Sequence, residues 1–250
     1  MDTEGKIETA GEPDATRSLG SLTTNELSGE PATTLIVPLG ATEQHGPHLP
    51  LDTDTAIATA WANRVAARLG DSVVAPALPY GSSGEHQSFA GTLSIGREAL
   101  RTVIIELTRS AAIHHQRVVF VSGHAGNAEP LREAVSQLID EGHHVSLLLP
   151  LIEGADAHAG RTETSIMLAI EPDHVRTDHL EVGCMSPLSS IIDQLRLGGV
   201  AAVAPNGVLG DPTLATVAEG VELLVRLDKA PVEGSPLTRR QNTTAKFGPA

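Results

Sequence analysis

The chain has 250 residues, with 17 Lys and Arg against 31 Asp and Glu and a formal charge of −14. That length suits one sizeable α/β domain, and that charge repels phosphate backbones and anionic membrane surfaces, which disfavours nucleic-acid and membrane partners. Cys184 is the single cysteine, which excludes an internal disulfide and a thiolate-built metal site; with no basic-plus-apolar leader and no apolar run near the ~20 residues that span a bilayer, a soluble cytoplasmic protein is expected.

Residues 1–17 are acidic and poor in large apolar groups, so a flexible N-terminal tail is expected, followed by one domain over 18–230 and a second loose tail over 231–250. Leu22 to Leu27 offers a cap residue and a short helical turn, and Leu35 to Leu39 reads as a buried parallel strand. Thr55 to Leu69 is Ala-rich with Ile57, Trp61 and Val65 spaced by four, which predicts a helix, and Val73 to Leu78 predicts a second strand. The glycines and serines of Tyr80 to Thr92 predict a loop.

Arg97 to His115 carries Leu100, Val103, Ile104 and Leu107 on one helical face, and Arg117 to Val121 follows as a strand that leaves through the turn Ser122 to Asn127. Glu129 to Glu141 is helical again, with Leu131, Val135, Leu138 and Ile139 at the expected spacing, and His144 to Leu149 is another strand. His158 to Ser165 opens a helix reaching about Ile170, Gly198 to Val203 reads as a last strand, and Asp211-Pro-Thr starts a helix with Val217, Val221, Leu224 and Val225 inward. Alternating strands and helices predict a three-layer α/β/α sandwich with a mostly parallel sheet.

The segment Leu39-Gly-Ala-Thr-Glu-Gln-His-Gly-Pro-His-Leu-Pro-Leu-Asp-Thr-Asp54 concentrates acids and histidines at the end of the first strand. Residues two apart in an extended chain point the same way, so Glu43 and His45 can converge, as can Asp52 and Asp54, in a manner suited to zinc, manganese or iron(II). The plainer reading is a polar loop in which Asp52, Thr53 or Asp54 caps the next helix. Open α/β sheets bind ligands beyond the carboxyl ends of their strands, where both Glu43/His45 and His124 fall. His124 lies between Gly123 and Gly126; without the Lys and Ser/Thr of a P-loop, this turn suits a metal better than a phosphate. His158 and Glu163 form a third cluster, and three such clusters outweigh the ordinary reading of each histidine alone.

These residues carry a resemblance. Glu43-x-His45 with Asp54, Gly84-Glu-His86, Phe89-x-Gly-Thr92, Gly123-His-x-Gly-Asn127 and His158-Ala-Gly followed by Glu163-Thr-Ser165 resemble, in order, the creatininase family of amidohydrolases. Within it the chain is most similar to peptidases that cut a radical-modified precursor peptide, on the strength of Glu43 to Asp54, Gly84 to Thr92, Gly199 to Val203 and Gly207 to Thr213. The resemblance implies amide hydrolysis with two adjacent divalent ions: Glu43 and His124 on one, His45 on the other, and Asp54 bridging. The family glutamate two residues after the histidine of the Gly-His turn is replaced here by Gly126, and Glu163 is the proposed substitute. His158 resembles the catalytic histidine, and a homo-oligomer such as a hexamer is implied. A small-molecule cyclic amide or formamide hydrolase and a metal-stabilised peptide-binding protein are the alternatives.

The remaining polar residues rank lower. His48 is read as shaping its turn, and Asp52 as either supporting Asp54 or capping the helix. Glu85 and His86 either line the site or make ordinary loop hydrogen bonds. Tyr80 and Phe89 either stack on substrate or belong to the core. His114, His115, His143 and His144 are read as surface residues, and Cys184 as an inert thiol.

Overall fold

The computed structural model describes residues 16–235. Of the expected tails over 1–17 and 231–250, residues 1–15 and 236–250 lie outside the described residues. Thr23 closes a capping box on α1 (Thr24–Gly29), its hydroxyl accepting from the Glu26 backbone N–H while the Glu26 carboxylate accepts from the Thr23 backbone N–H. There follow β1 (Thr34–Leu39), α2 (Thr53–Leu69), β2 (Ser72–Val74), α3 (Arg97–Ala111), β3 (Arg117–Ser122), α4 (Ala128–Asp140) and β4 (Val145–Leu148). After these come α5 (Arg161–Ile170), α6 (Leu188–Gly198), α7 (Val217–Leu227) and β5 (Val232–Gly234).

The sheet has strand order β2-β1-β3-β4-β5 and is parallel except for β5, which runs antiparallel to β4. Side-chain alternation divides the core into two layers. Leu35, Val37, Val118 and Phe120 face one way, onto Leu100 and Ile104 of α3 and Leu131 and Leu138 of α4. Ile36, Val119 and Val121 face the other way, onto Trp61 of α2, Met167 of α5 and Leu223 of α7. Both faces of the central strands are thus covered, which is why their sequences read as near-continuous apolar runs. The chain leaves β1 toward β2 on one side and enters β3 on the other, so the carboxyl ends of β1 and β3 flank a topological switch point.

Several sequence expectations move. The second strand stops at Val74, after which Leu78 rejoins β1 only through an isolated bridge to Leu39. Gly198 to Val203 is not a strand: Gly199 takes φ +68° and Val200–Ala202 forms a 3-10 turn. The fifth helix begins at Arg161, because His158 pairs with Leu209 in a β-bridge. The last helix begins at Val217 behind a Thr216 cap and buries Gly220, Leu223, Leu224 and Leu227, leaving Val217, Val221 and Val225 exposed. In α3 and α4, Val103 and Ile139 likewise face outward. The C-terminal tail cannot begin at residue 231, since Val232–Gly234 extends the sheet, and at the other end the Arg17 carbonyl accepts from the Val74 backbone.

Candidate metal centre

The chain leaving β1 folds into a tight turn held by the Glu43 N–H to the Leu51 carbonyl (3.0 Å) and a His45–Leu49 bridge. That turn lays Glu43 and His45 against Asp54 in the first turn of α2. The exit of β3 approaches the same point because Gly123 has no side chain: a Cβ there would overlap the Asp54 carbonyl oxygen. His158 and Glu163 arrive from the start of α5. Ala159 takes φ +52°, a strained left-handed backbone whose N–H donates to Glu163 Oε2 at 2.6 Å.

Asp54 lies at the centre. Its Oδ1 is 3.2 Å from His45 Nε2, and its Oδ2 is 3.3 Å from His124 Nδ1. Glu43 Oε2 is 3.2 Å from His124 Nε2, and Glu163 Oε2 is 3.8 Å from His45 Nε2. His158 Nδ1 stands 3.7 Å from Glu43 Oε1 and 4.0 Å from Glu163 Oε2. His45 donates from Nδ1 to the Glu43 carbonyl (3.1 Å), which leaves Nε2 directed at the carboxylates, the arrangement that metal-binding imidazoles adopt.

The electrostatics of this cluster call for positive charge. Glu43, His45 and Asp54 are essentially without solvent contact, and Glu163 is partly exposed on the cavity wall. Burial pushes the carboxyl of Glu43 up to about 8 and that of Glu163 up to about 7, each held from going further mainly by a histidine. Burial opposes charge on His45 and His124 as well, but their carboxylate neighbours outweigh it and pull both up to about 10. Asp54 moves the other way: burial is overcome by His45 and His124, and its carboxyl falls well below the usual range. Both Glu43 oxygens and Asp54 Oδ2 are buried without a hydrogen-bond partner among the described residues, although imidazole nitrogens stand close by. Buried carboxylates of this kind, with mixed nitrogen and oxygen donors, fit divalent cations. Overlapping sets of donors, Glu43/His45/Asp54, His45/His158/Glu163 and Glu43/His86/His158, are each compact enough to hold an ion.

A family model described as creatinine amidohydrolase matches residues 21–233. The chain is 52% identical over 219 residues to the mycofactocin precursor peptide peptidase of Mycobacterium ulcerans, spanning 84% of this chain and 88% of that one. A mutant creatininase of Zn–Zn type superposes with a TM-score of 0.70 at 27% identity, covering 86% of this chain and 95% of that one. A manganese form of creatininase gives 0.68 at 27%, covering 85% and 94%.

The chain belongs to the creatininase family.

Against the family pattern, Glu43, His45, Asp54, His124, His158 and Glu163 come together. Gly126 has no room for a longer side chain, since a Cβ there would overlap His124 Nε2 and lie 2.8 Å from the Ser82 carbonyl oxygen. Glu163 Oε2 stands 3.8 Å from His45 Nε2. Glu85 and His86 line the cavity beside the cluster, whereas Phe89 packs with Ile191, Val200, Ala204 and Leu209 in a separate apolar cluster and does not line it. Tyr80 also stays outside the lining and is half exposed. His48 is buried and paired with the Thr164 hydroxyl at 2.9 Å, with burial and then His45 holding its pKa down to about 4, in keeping with a role in shaping the turn. The exposed Asp52 makes no side-chain capping bond. His115 is tied to the Ala32 carbonyl at 2.9 Å.

Sequence reasoning missed two parts of this site. One wall of the cavity is α6 with its flanking turn, through Leu188, Ile192, Leu195, Arg196 and Leu197. The helical spacing of Leu188, Ile191, Ile192 and Leu195 was the available signal. The second is Gln44, buried between the ligand candidates Glu43 and His45, with its side-chain amide 2.9 Å from His86 Nδ1 and its backbone carbonyl 2.8 Å from His158 Nε2.

Proposed function

We propose that this chain is a dinuclear metal-dependent peptidase that cleaves the radical-modified mycofactocin precursor peptide next to its C-terminal Val-Tyr unit and releases the modified dipeptide core. The observation that carries the reading is Asp54 standing between two imidazoles, one at each carboxylate oxygen, in a buried cluster of acids. The similarity to the Mycobacterium ulcerans peptidase supports the substrate, and the metal-bearing creatininase structures support the cofactor.

In this reading Glu43, His124 and Asp54 would hold one cation and His45, Glu163 and Asp54 the other, with zinc, iron(II) or manganese as the candidates. Bound there, such ions supply Lewis acidity, which polarises a carbonyl and acidifies water toward neutral pH. His158 carries the proton. Burial, then His45 and His86, keep its pKa well below the ordinary value, so the imidazole is neutral and accepts a proton at Nδ1 from the attacking water. The same proton passes to the departing amine nitrogen as the C–N bond breaks, and no covalent enzyme intermediate is needed. A cavity of about 780 Å³, apolar along α6, accommodates a peptide segment and is far larger than a small cyclic amide requires.

The reading extends to a homo-oligomer acting in the cytoplasm. The exposed valine stripe of α7 offers a contact surface, and no helix among the described residues is long and apolar enough to cross a membrane. Incubating the metal-loaded protein in parallel with modified peptide, unmodified peptide and creatinine tests the substrate. Cleavage of the modified peptide, abolished by chelation and restored by metal, is expected. Consumption of creatinine alone would replace the peptidase with a small-molecule amidase, and tight peptide binding without turnover at saturating metal would make the chain a binding protein.

A further inference from the structure

Gln44 lies between two candidate ligands, and its side chain sits at the junction of two histidines. Its Oε1 accepts from the Gly46 N–H at 2.9 Å, and its Nε2 donates to the Gly207 carbonyl at 3.0 Å. A backbone donor on one side and a backbone acceptor on the other leave a single orientation for the amide. Gly207, at φ +82°, is shaped around this group: a Cβ there would overlap Gln44 Oε1.

The second amide hydrogen has two claimants, His86 Nδ1 at 2.9 Å and His158 Nε2 at 3.1 Å. His158 Nε2 is also 2.8 Å from the Gln44 backbone carbonyl, a contact that is attractive only if this nitrogen carries its own hydrogen. A nitrogen that donates to the carbonyl does not accept from the amide. The remaining amide hydrogen therefore belongs to His86 Nδ1. His86 in turn must carry its hydrogen on Nε2, the atom 3.3 Å from Glu43 Oε1.

We infer that Gln44 is a positioning residue that sets the tautomers of both histidines: its side-chain amide holds His86 as the Nε2–H form facing Glu43, and its backbone carbonyl holds His158 as the Nε2–H form with Nδ1 open to the cluster. The consequence is selective. Glu43, His86 and His158 are compact enough to hold an ion by themselves, yet an imidazole nitrogen bearing hydrogen cannot ligate. Gln44 thereby withholds His86 from metal and reserves Glu43 for the set built on Asp54, while His158 keeps a free lone pair at the atom that handles the proton.

The kinetic part of this inference rests on the hydrolase reading; the tautomer part does not. The test is ¹⁵N NMR of the histidine side chains in zinc-loaded wild type, Gln44→Glu and Gln44→Met, with metal content and peptide kinetics measured on the same preparations. Wild type is expected to show His86 and His158 both protonated at Nε2. Gln44→Glu is nearly isosteric but offers an acceptor where the amide donated, so His86 is expected to switch to the Nδ1–H form, and Gln44→Met should give a mixture. Both variants should lose roughly 10–100-fold in kcat, the range for an outer residue that orients a metal site, with KM changed much less. Wild-type His86 protonated at Nδ1 would overturn the inference, as would Gln44→Glu with an unchanged tautomer and kcat. If the variants do not fold, the wild-type spectrum alone decides. If the wild-type tautomers are as stated but zinc is absent and activity survives its removal, the metal reading fails and the tautomer inference stands.

Discussion

Two concavities of the same volume, about 780 Å³ each, lie on this molecule, and only one has the makings of a reaction site. The first runs between α3 and α4 among Glu98, Arg101, Arg132, Glu133 and Asp140. Charges of opposite sign alternate there in water, as where Arg101 lies 3.9 Å from Glu133 and Arg132 lies 2.7 Å from Glu233. The second lies beyond the carboxyl ends of β1 and β3, where acids of one sign converge out of water around Asp54. Exposed pairs of opposite sign nearly cancel and contribute little. Buried acids of like sign raise one another's pKa and lower their cost only when a cation or proton joins them. Volume does not separate the two cavities; burial and imbalance do.

The largest effect should come from the residue that creates the imbalance. Asp54→Asn keeps the shape and removes the charge shared by His45 and His124. Metal content is expected to fall at both positions together, with activity down on the order of 10³-fold, measured by elemental analysis beside peptide turnover. Loss of a single equivalent would show that the carboxylate is not shared. His158→Ala comes next: kcat should fall by about 10²–10⁴-fold, the range for a lost proton-transfer group, with metal content intact. Metal lost in proportion to activity would make His158 a ligand, through the His45/His158/Glu163 set.

How much of this was legible in the sequence follows from the range of each interaction. Leu35 to Leu39 and Val118 to Val121 announced themselves because strands covered on both faces are apolar throughout. Glu43 and His45 could be paired from spacing alone, His124 and the His158/Glu163 pair stood out as further clusters at the ends of other elements, and family resemblance assigned each its role. Gln44 stayed silent because its partners His86, His158 and Gly207 lie 42, 114 and 163 residues away. The valines at 217, 221 and 225 were correctly seen as a stripe and assigned to the wrong side. A helix with two apolar faces does not say which one the fold covers, and here Leu223, Leu224 and Leu227 took the core. Phe89 misled for a related reason: in a chain with only three Phe, an aromatic beside a site motif invites a substrate role, and this one fills a small satellite core instead.

The smallest effect belongs to the other cavity's flank. Arg109 donates to both Glu141 oxygens, and this, followed by Gln137, holds the Glu141 carboxyl down at about 2 against an ordinary 4.5. A carboxyl whose pKa is depressed by folding stabilises the fold fully above its unfolded value and ceases to do so as pH falls through its folded value. The window here runs from about 4.5 down to about 2. Both side chains stand in water, so the stabilisation is heavily screened. Arg109→Ala should therefore lower Tm by about 1 °C or less at neutral pH. The difference from wild type should shrink across that acid window and in high salt, with peptide turnover unchanged. Thermal melts at several pH values, set beside the Asp54→Asn assays, put the two regions on one scale. A loss of activity in Arg109→Ala approaching that of Asp54→Asn would mean that the exposed, balanced cluster also serves the reaction, and burial would no longer distinguish the two.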